Sequence, residues 1–405
     1  MPLIKEGYAN NHTFESRVWN DVKSGFTHFA ENDIAVAKIT PCFENKKSVI
    51  FKNLVNGYGA GTTELHIIRL LTNTICPEYI LYNFKMDVFI SNGIKAFTGA
   101  VGQKRIGKEF ISNTLIPIPP RCEQLKLLKI IHDAFGYIDS IEILSEDFKT
   151  DIVATKSKIL DLAIRGKLVP QNQDDEPASV LLEYIKAEKE ELIKQGKIKR
   201  DKKESVIFKG EDNSYYRSTS GNVELCTDFP FELPNGWEWC NLSMIGYTNI
   251  GLTYKPTDIV QDGTMVLRSS NIINGKIDLT DLVRVNTTIR DNQYIEENDI
   301  LICARNGSKA LVGKCAIFEG ISERTSFGAF MAVYRTQYYK YVYHFLNSKI
   351  FRDTFMNDDT KQINQLTQDM IKNTILALPP LEEQKRIVNA IETAFEYLDN
   401  ILNNL

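Results

Sequence analysis

One stretch of the chain occurs twice, and this repeat limits the possible folds more than any other feature of the sequence. Residues 119–139, PPRCEQLKLLKIIHDAFGYID, return as residues 379–399, PPLEEQKRIVNAIETAFEYLD. A helix-start motif, PPxxEQ, opens both copies and consists of Pro119, Pro120, Glu123 and Gln124 in the first and Pro379, Pro380, Glu383 and Gln384 in the second. A self-match at one fixed offset indicates a duplicated structural unit.

Each copy predicts a long helix. The prolines suit the first helical turn, and the acids behind them favour the positive end of the helix dipole. Apolar residues then follow a coiled-coil seam, at Ile387, Ile391, Ala394, Leu398, Ile401 and Leu405 in the second copy and at Leu127, Ile131, Ala134, Ile138, Ile141, Phe148, Ile152, Ile159 and Leu162 in the first. The first helix should end near Gly166, so residues 127–162 would span ~54 Å. We predict that the two helices pair as an antiparallel coiled coil; a seam for some other self-association is the alternative.

The segments before the two helices read as strand-rich domains. Short apolar runs separated by turns are typical of strands, and residues 29–51 resemble residues 295–318. The predicted fold class is therefore α+β, with two strand-rich globular domains separated by two long helices that form an antiparallel coiled coil. The predicted parts are 1–118 (a shortened first domain), 119–228 (central helix and charged helical linker), 229–378 (second domain) and 379–405 (C-terminal helix). The first domain lacks about two to four strands that the second contains.

Composition excludes several classes of protein. A net charge of −4 and a pI near 5.9 give no sign of a basic domain dedicated to polyanions, so any nucleic-acid contact must come from local patches. The seven cysteines are scattered and never spaced as CxxC, which argues against a disulfide framework and a zinc site. No stretch approaches the roughly 20 apolar residues of a membrane span. We expect a cytoplasmic protein.

Two variable domains that alternate with two long helices, each begun by PPxxEQ, closely resemble the specificity subunit of a type I restriction-modification enzyme. ELPNGWEW (residues 232–239) and the charged segment 165–199 add to the resemblance. It implies that each domain is a target recognition domain that reads one half of a split double-stranded DNA sequence. It also implies that the helices separate the domains and dock two methyltransferase subunits through the helix-start motif, and that restriction/translocase subunits join for cleavage. S-adenosylmethionine, ATP and Mg²⁺ would then belong to the partner subunits.

Side-chain chemistry and loop position suggest which residues contact DNA. Bases are read by Arg, Lys, Asn, Gln, Ser and Thr, and phosphates are held by Lys and Arg. The candidates in the second domain are Arg268, Ser270, Asn271, Arg305, Asn306, Ser308, Lys309, Gln362, Asn364 and Gln365. The matching candidates in the first domain are Lys38, Thr40, Lys46, Lys47, Gln103, Lys104 and Arg105. A polar surface turn is the alternative for each.

Catalytic motifs were not found. The Asn/Asp-Pro-Pro-aromatic motif of adenine methyltransferases does not occur, and GSKALVGKC (residues 307–315) has the wrong glycine spacing for a P-loop. We therefore expect a non-catalytic subunit without a metal site or a cofactor of its own. A truncated or silent specificity cassette, a coiled-coil scaffold without DNA readout, and an independent nuclease remain as alternatives.

Overall fold

The chain is organised as two compact units, Met1–Leu144 (unit 1) and Ser145–Leu405 (unit 2). The structure is a computed structural model that describes residues 3–100, 103–196, 205–219, 221–227, 229–356 and 365–404. Within these residues, no helix is long and apolar enough to cross a membrane.

Among its described residues, unit 1 has two small sheets and four α-helices, followed by the start of a fifth. Its strands are β1 (Thr27–Ala30), β2 (Ile34–Ala37), β3 (Ser48–Ile50), β4 (Tyr58–Gly61) and β5 (Leu65–Ile68). Its helices are α1 (Trp19–Val22), α2 (Pro77–Lys85), α3 (Asp87–Lys95) and α4 (Lys108–Asn113). One sheet has the order β3-β2-β5, and β1 pairs with β4 in the other. The longest helix, α5 (Arg121–Ile164), begins in unit 1 and ends in unit 2.

Unit 2 is richer in strands. Its helices are α6 (Ala178–Lys194), α7 (Leu242–Ile245), α8 (Tyr339–Leu346), α9 (Lys349–Met356), α10 (Gln368–Asn373) and α11 (Leu381–Asn403). Its strands are β6 (Ser205–Lys209), β7 (Tyr215–Thr219), β8 (Asn222–Leu225), β9 (Glu238–Asn241), β10 (Tyr247–Ile250), β11 (Ile259–Val260), β12 (Thr264–Leu267), β13 (Ile272–Ile273), β14 (Lys276–Ile277), β15 (Val283–Val285), β16 (Ile300–Cys303), β17 (Cys315–Ile317), β18 (Thr325–Phe327), β19 (Met331–Arg335) and β20 (Ile375–Leu378). The sheets have the orders β10-β19-β16-β17, β11-β15-β12-β18, β6-β7-β8, β13-β14 and β20-β9.

The two units share one core arrangement, as the sequence repeat predicted. In unit 1 the buried central strand β2 lies between β3 and β5, all antiparallel, and in unit 2 β16 lies between β17 and β19 in the same way. Helix α2 packs against β3, and α8 packs against β17. Unit 2 adds a fourth strand, β10, beyond β19, whereas the matching edge of β5 has no strand partner among the described residues.

An ion pair with a buried aspartate is repeated at the same place in both cores. Asp33, just before β2, is 1% exposed and accepts hydrogen bonds from Arg69 Nε at 2.7 Å and Nη2 at 2.6 Å. Asp299, just before β16, is 1% exposed and accepts from Arg335 Nε and Nη2, both at 2.6 Å. Such forked pairs fix the geometry of both groups. The pair therefore joins the start of the central strand to the end of the strand beside it.

The turn that carries each aspartate is also repeated. Asn32 and Asn298 precede the aspartates with φ values of 67° and 70°, in the left-handed region that asparagine tolerates better than most residues. Each aspartate also accepts from a backbone amide three residues earlier, that of Ala30 or Glu296, at 2.7 Å. The shared letters END in the sequence thus specify a turn and a buried carboxylate.

Helix α11 buries the first part of its predicted seam, whereas Ile401 near its end is 44% exposed. Ile387 and Ile391 are fully buried in the main core of unit 2, together with Leu160 and Ile164 from the end of α5. Lys156 Nζ forms an ion pair with Asp399 at 2.5 Å, near the other end of α11. Since the start of α11 lies at the end of α5 and its last turns lie near Lys156, these two helix segments are antiparallel.

Farther toward its start, α5 leaves apolar side chains exposed. Ile130, Ile138, Ile141, Leu144 and Phe148 are each more than one third exposed. The seam of α5 is therefore covered near its C-terminal end but not along its middle within the described residues. The helix ends as predicted, because Gly166 adopts a φ of +65° and Lys167 N donates to Leu162 O at 2.8 Å.

The linker was only partly anticipated. The charged helix predicted there is α6, but the sheet β6-β7-β8 follows it where no strands were expected. The division at residues 118, 228 and 378 stays a prediction, since the two compact units divide the chain within α5.

Candidate nucleic-acid interface

Three segments of unit 2 meet at the loop that follows the central strand β16. Asn306 Nδ2 donates to Ser269 Oγ at 3.2 Å, which joins this loop to the turn after β12. Arg305 forms a β-bridge with Gln365, just before α10. We call Arg268–Asn271, Arg305–Lys309 and Gln365 the unit 2 loop cluster. The sequence-predicted candidates from these three places are therefore brought together.

Arg305 is an accessible cation of this cluster. Its side chain is exposed and lies 5.5 Å from the ring of Phe330, and it makes no ion pair within the described residues. A cleft of about 240 Å³ opens beside it and is lined by Phe330, Gln365 and Gln368. An exposed guanidinium next to an aromatic face can bind a phosphate or the edge of guanine.

Arg268 and Asn271 hold their own loop together. Asn271 is buried, and its Nδ2 donates to the carbonyl oxygens of Asp278 and Asp281 at 2.9 and 2.8 Å. Arg268 Nη2 pairs with Asp281 Oδ2 at 2.7 Å, while its Nε is buried without a partner. Neither side chain is free in this structure, whereas Ser270 between them is exposed.

Unit 1 has a matching cluster, which we call the unit 1 loop cluster: Lys38, Thr40 and Gln103–Arg105. Ile39 and Arg105 form a β-bridge, and Thr40 N donates to Lys104 O at 3.1 Å. The bridge occupies the place of the Arg305–Gln365 bridge in unit 2, after the central strand and before the short helix.

Some side chains of the unit 1 loop cluster are already bonded to other groups of the protein. Arg105 clasps Glu64 with contacts of 2.9 to 3.1 Å, which lowers the pKa of that carboxyl, and Lys38 Nζ donates to Thr63 O at 2.8 Å. Gln103 and Lys104 are exposed. Arg105 is exposed as well but is paired with Glu64.

The remaining candidates have varied surroundings. Lys46 Nζ lies between Tyr8 Oη at 2.6 Å and Asp87 Oδ1, so its charge is already paired. Lys47 is half-buried, whereas Ser308 and Lys309 are exposed in the unit 2 loop cluster. Gln362 and Asn364 lie outside the described residues.

Phe330 was missed by the sequence analysis. It is 60% exposed although it directly precedes the buried strand β19. The available signal was its place in the turn GAF between two apolar strands, where a bulky aromatic side chain has no packing role. An exposed aromatic ring beside an arginine is a common part of nucleic-acid binding surfaces.

The helix-start motif ties each long helix to the strands before it. Gln124 is buried, and its Oε1 accepts from Cys76 N at 2.8 Å while its Nε2 donates to Pro119 O at 2.8 Å. Gln384 is also buried, and its Nε2 donates to Pro379 O at 2.9 Å. The two glutamines therefore have an internal role. Docking through this motif stays a prediction and would use its exposed members.

The glutamates of the motif differ between the copies. Glu383 is 1% exposed and accepts from Trp237 Nε1 at 3.0 Å, and burial raises the pKa of its carboxyl. Glu123 is exposed. Pro379 and Pro380 are buried, whereas Pro119 is half-buried and Pro120 exposed. The start of α11 is therefore buried by other parts of unit 2, whereas the start of α5 is exposed to solvent.

Replacing Gln124 by leucine should destabilise unit 1 by about 1–3 kcal/mol, since the Cys76 amide would lose its acceptor in a buried place. Hydrogen exchange of the amides in residues 74–80 should quicken, while exchange in β16 and β19 stays unchanged. Gln195→Leu, in an exposed helix end, is the matched control. Equal exchange in both variants would show that the Gln124 contact does not hold this segment.

Comparisons with known proteins define the class. The family model for the type I restriction modification DNA specificity domain matches residues 234–405. Two curated relatives from Escherichia coli are similar over nearly the whole chain. The type I restriction enzyme EcoAI specificity subunit is 33% identical over 97% of this chain and 72% of its own length, and the EcoEI specificity subunit is 31% identical over 100% and 74%.

The fold is shared with solved structures. The HsdS subunit from Thermoanaerobacter tengcongensis matches with a TM-score of 0.57 at 14% identity, over 100% of this chain and 83% of that one. A chain from a study of complex assembly and conformational transition of the type I R-M system also matches at 0.57, with 16% identity over 94% and 78%. The fold is thus that of a specificity subunit. The chain belongs to the family of type I restriction enzyme specificity subunits.

Proposed function

We propose that this chain reads a bipartite DNA sequence through its two strand-rich units and docks two methyltransferase subunits on its helices. The observation that carries the proposal is the duplicated core. The Asp–Arg pair with its buried aspartate, the bridged loop after the central strand and the glutamine at the helix start all occur once in each unit. A chain that presents the same loop twice can contact two half-sites.

The DNA contact in unit 2 centres on Arg305, with Asn306, Ser308 and Gln365 near it. Base edges in the major groove are distinguished by paired donors and acceptors, and arginine suits guanine. In unit 1, Gln103 and Lys104 take the matching place. Because the net charge of the chain is −4, these local cations must supply the attraction to phosphate.

The docking surface for methyltransferase subunits combines exposed members of the helix-start motif, such as Pro120, with the exposed apolar stripe of α5, which includes Ile130, Ile138, Ile141 and Leu144. Contiguous exposed apolar side chains on a helix are typical of a protein interface. We assign methyl transfer and DNA cleavage, with S-adenosylmethionine, ATP and Mg²⁺, to the methyltransferase and restriction/translocase partners. The chain described here supplies recognition and assembly.

The methylation pattern of DNA tests the proposal. The chain would be expressed with a methyltransferase subunit from the same system, and modified adenines would be mapped by single-molecule sequencing. A split motif modified on both sides is the expected result. A palindrome built from one half-site would show that only one unit reads DNA. No modification, despite a complex that forms on purification, would favour a scaffold or silent cassette.

Arg305→Ala should weaken specific DNA binding by the purified complex about 5- to 150-fold, equivalent to about 1–3 kcal/mol. If Arg305 contacts a base, specificity should relax at one position of the motif; if it contacts a phosphate, the slope of log affinity against log salt should fall by about one. Arg324→Ala removes one charge from another exposed loop of unit 2 and is the matched control. Equal loss in both variants would remove Arg305 from the interface.

A further inference from the structure

The duplicated core allows unit 1 to be compared with unit 2 element by element, and one covered edge of unit 2 is open in unit 1. In unit 2, the segment Trp237, β9, α7 and β10 packs on three elements: β9 pairs with β20, α7 contacts α10, and β10 pairs with β19. The matching elements of unit 1 are residues 115–118, α4 and β5. Among the described residues of unit 1, no strand pairs with β5 on its outer edge or with residues 115–118.

Burial shows the same difference. Leu376 and Leu378 of β20 are fully buried, whereas Ile116 is half-buried and Ile118 is 48% exposed at the matching positions. All but the last residue of β19 are buried, but three of the four residues of β5 are only half-buried. Beside residues 115–118 lies an open cavity of about 870 Å³, which is lined by Phe110, Leu115 and Ile116. There is room for further protein against this surface.

The internal bonds around the two edges are alike. Tyr341 Oη donates to Ala377 O at 2.8 Å, and Tyr79 Oη donates to Pro117 O at 2.9 Å. Residues 115–118 are therefore held in the same place as β20 although their partner strand is absent. The edge is preformed.

Pro117 is compatible with an added strand. In unit 2, Leu242 N donates to Thr374 O, so the alternation of an antiparallel pair puts the later ladder bonds at Leu376 and Leu378. The N–H of Ala377 is not used in this pairing. Pro117 holds the matching position in unit 1, so its lack of an N–H does not prevent an added strand from pairing there. The amides of Ile116 and Ile118, which would bond to the new strand, have no backbone partner in the described structure.

The open Glu123 indicates what the missing segment carries. In unit 2 the matching Glu383 accepts the indole N–H of Trp237, which directly precedes β9. In unit 1 the carboxylate of Glu123 is exposed and makes no hydrogen bond or ion pair in the described structure. A tryptophan at the head of an added strand would supply the donor.

Two segments of the chain that could be considered as the missing strand, the N-terminal residues and residues 237–250, are already packed at other places. The N-terminal residues lie on the other side of the sheet, since Asn10 Oδ1 accepts from Ile50 N and His12 Nε2 accepts from Lys52 N. The segment that covers unit 2 has Cys240 and Leu242 fully buried there, so a second copy could lend it only by opening its own core.

We propose that unit 1 is completed by a segment of a partner polypeptide, with the chemistry of residues 237–250: a tryptophan, a strand, one helical turn and a second strand. It adds to residues 115–118 and to β5 by strand pairing, and its indole N–H donates to Glu123. Backbone hydrogen bonds hold the added strands, and the apolar side chains of the segment pack against residues 115–118 and β5.

The test uses the full chain and a peptide with the sequence of residues 236–250, GWEWCNLSMIGYTNI, under reducing conditions. Hydrogen exchange should slow in residues 65–69 and 115–118 when the peptide is added, and a scrambled peptide should have no effect. The same segment fused ahead of Leu3 through a flexible linker raises its effective concentration and should give stronger protection. Protection by neither form would overturn the proposal.

Variants locate the contact. Glu123→Ala and Ile118→Lys should each weaken peptide binding at least tenfold, whereas Glu142→Ala and Ile143→Lys, which alter exposed positions in the middle of α5, should not. All four positions are exposed, so the variants should fold. Equal binding by all variants, or protection that rises with protein concentration without peptide, would contradict the proposal; the latter would show that a second copy covers the edge.

Discussion

Arg335→Met is expected to lower the free energy of unfolding of unit 2 by about 3–5 kcal/mol, because it leaves Asp299 buried without its partner. Asp299 is 1% exposed and lies just before the central strand β16, where nothing else described offers a second cation. Chemical denaturation followed by tryptophan fluorescence measures the loss, since Trp237 and Trp239 both lie in the unit 2 core.

The repeat provides the control for this variant. Arg69→Met breaks the matching pair in unit 1, but the Arg69 side chain is 63% exposed against 21% for Arg335. Solvent screens the exposed pair more strongly, so the loss from Arg69→Met should be smaller. A larger loss from Arg69→Met would show that burial of the arginine does not decide the strength of the pair.

The pH dependence of Arg335→Met has a definite sign. Burial raises the pKa of Asp299 even with Arg335 present, and removal of the guanidinium should raise it further. A folded-state pKa above the unfolded value means that the folded variant binds the extra proton, so its stability rises as the pH falls toward the unfolded value near 4. The deficit relative to the parent protein should therefore shrink in acid.

The sequence predicted the parts of this fold that depend on local pattern. The heptad spacing on residues 387–401 and the Gly166 stop specified two helices, and both formed; the seam of α11 is buried at Ile387 and Ile391 and becomes exposed by Ile401. The self-match between residues 29–51 and 295–318 predicted a duplicated domain. Periodicity and turn chemistry act within a few residues, and a single sequence therefore contains them in readable form.

Long-range pairing could not be read in the same way. The letters END and a later arginine occur in both repeats, but only the folded chain shows that Asp33 meets Arg69 across 36 residues. Likewise Glu123 and Glu383 occupy the same place in one motif, and their burial differs because Trp237 exists on one side only. The environment of a side chain depends on distant segments, which a local pattern does not contain.

The candidate DNA contacts show what local sequence can predict and what depends on the folded structure. Side-chain chemistry and loop position nominated Arg305, Asn306 and Gln365 separately, and only the folded chain shows that their segments meet beside Ser269. Residue type alone could not separate exposed Arg305 from Arg268, which is paired with Asp281. Which of these groups contacts DNA stays a prediction.

Trp237→Phe is expected to destabilise unit 2 by about 2–4 kcal/mol, since it removes the donor to the buried Glu383 carboxylate and leaves a small void. Glu383 Oε1 already lacks a partner, so the carboxyl would then have none among the described groups on either oxygen. Thermal and urea unfolding at neutral pH measure the change.

The Glu383→Gln variant distinguishes the effect of the Glu383 charge from the effect of Trp237 ring packing. Burial raises the pKa of Glu383, so the parent protein should lose stability as the pH rises from the unfolded value near 4.3 through the folded value. The glutamine variant has no such titration and should be at least as stable as the parent at pH 7, with the difference vanishing in acid. Trp237→Phe should cost less in the Glu383→Gln background than alone, because a neutral amide loses less than a charge when its donor is removed. An equal cost in both backgrounds would assign the effect of Trp237→Phe to ring packing and leave the indole hydrogen bond without a role in holding the second helix start.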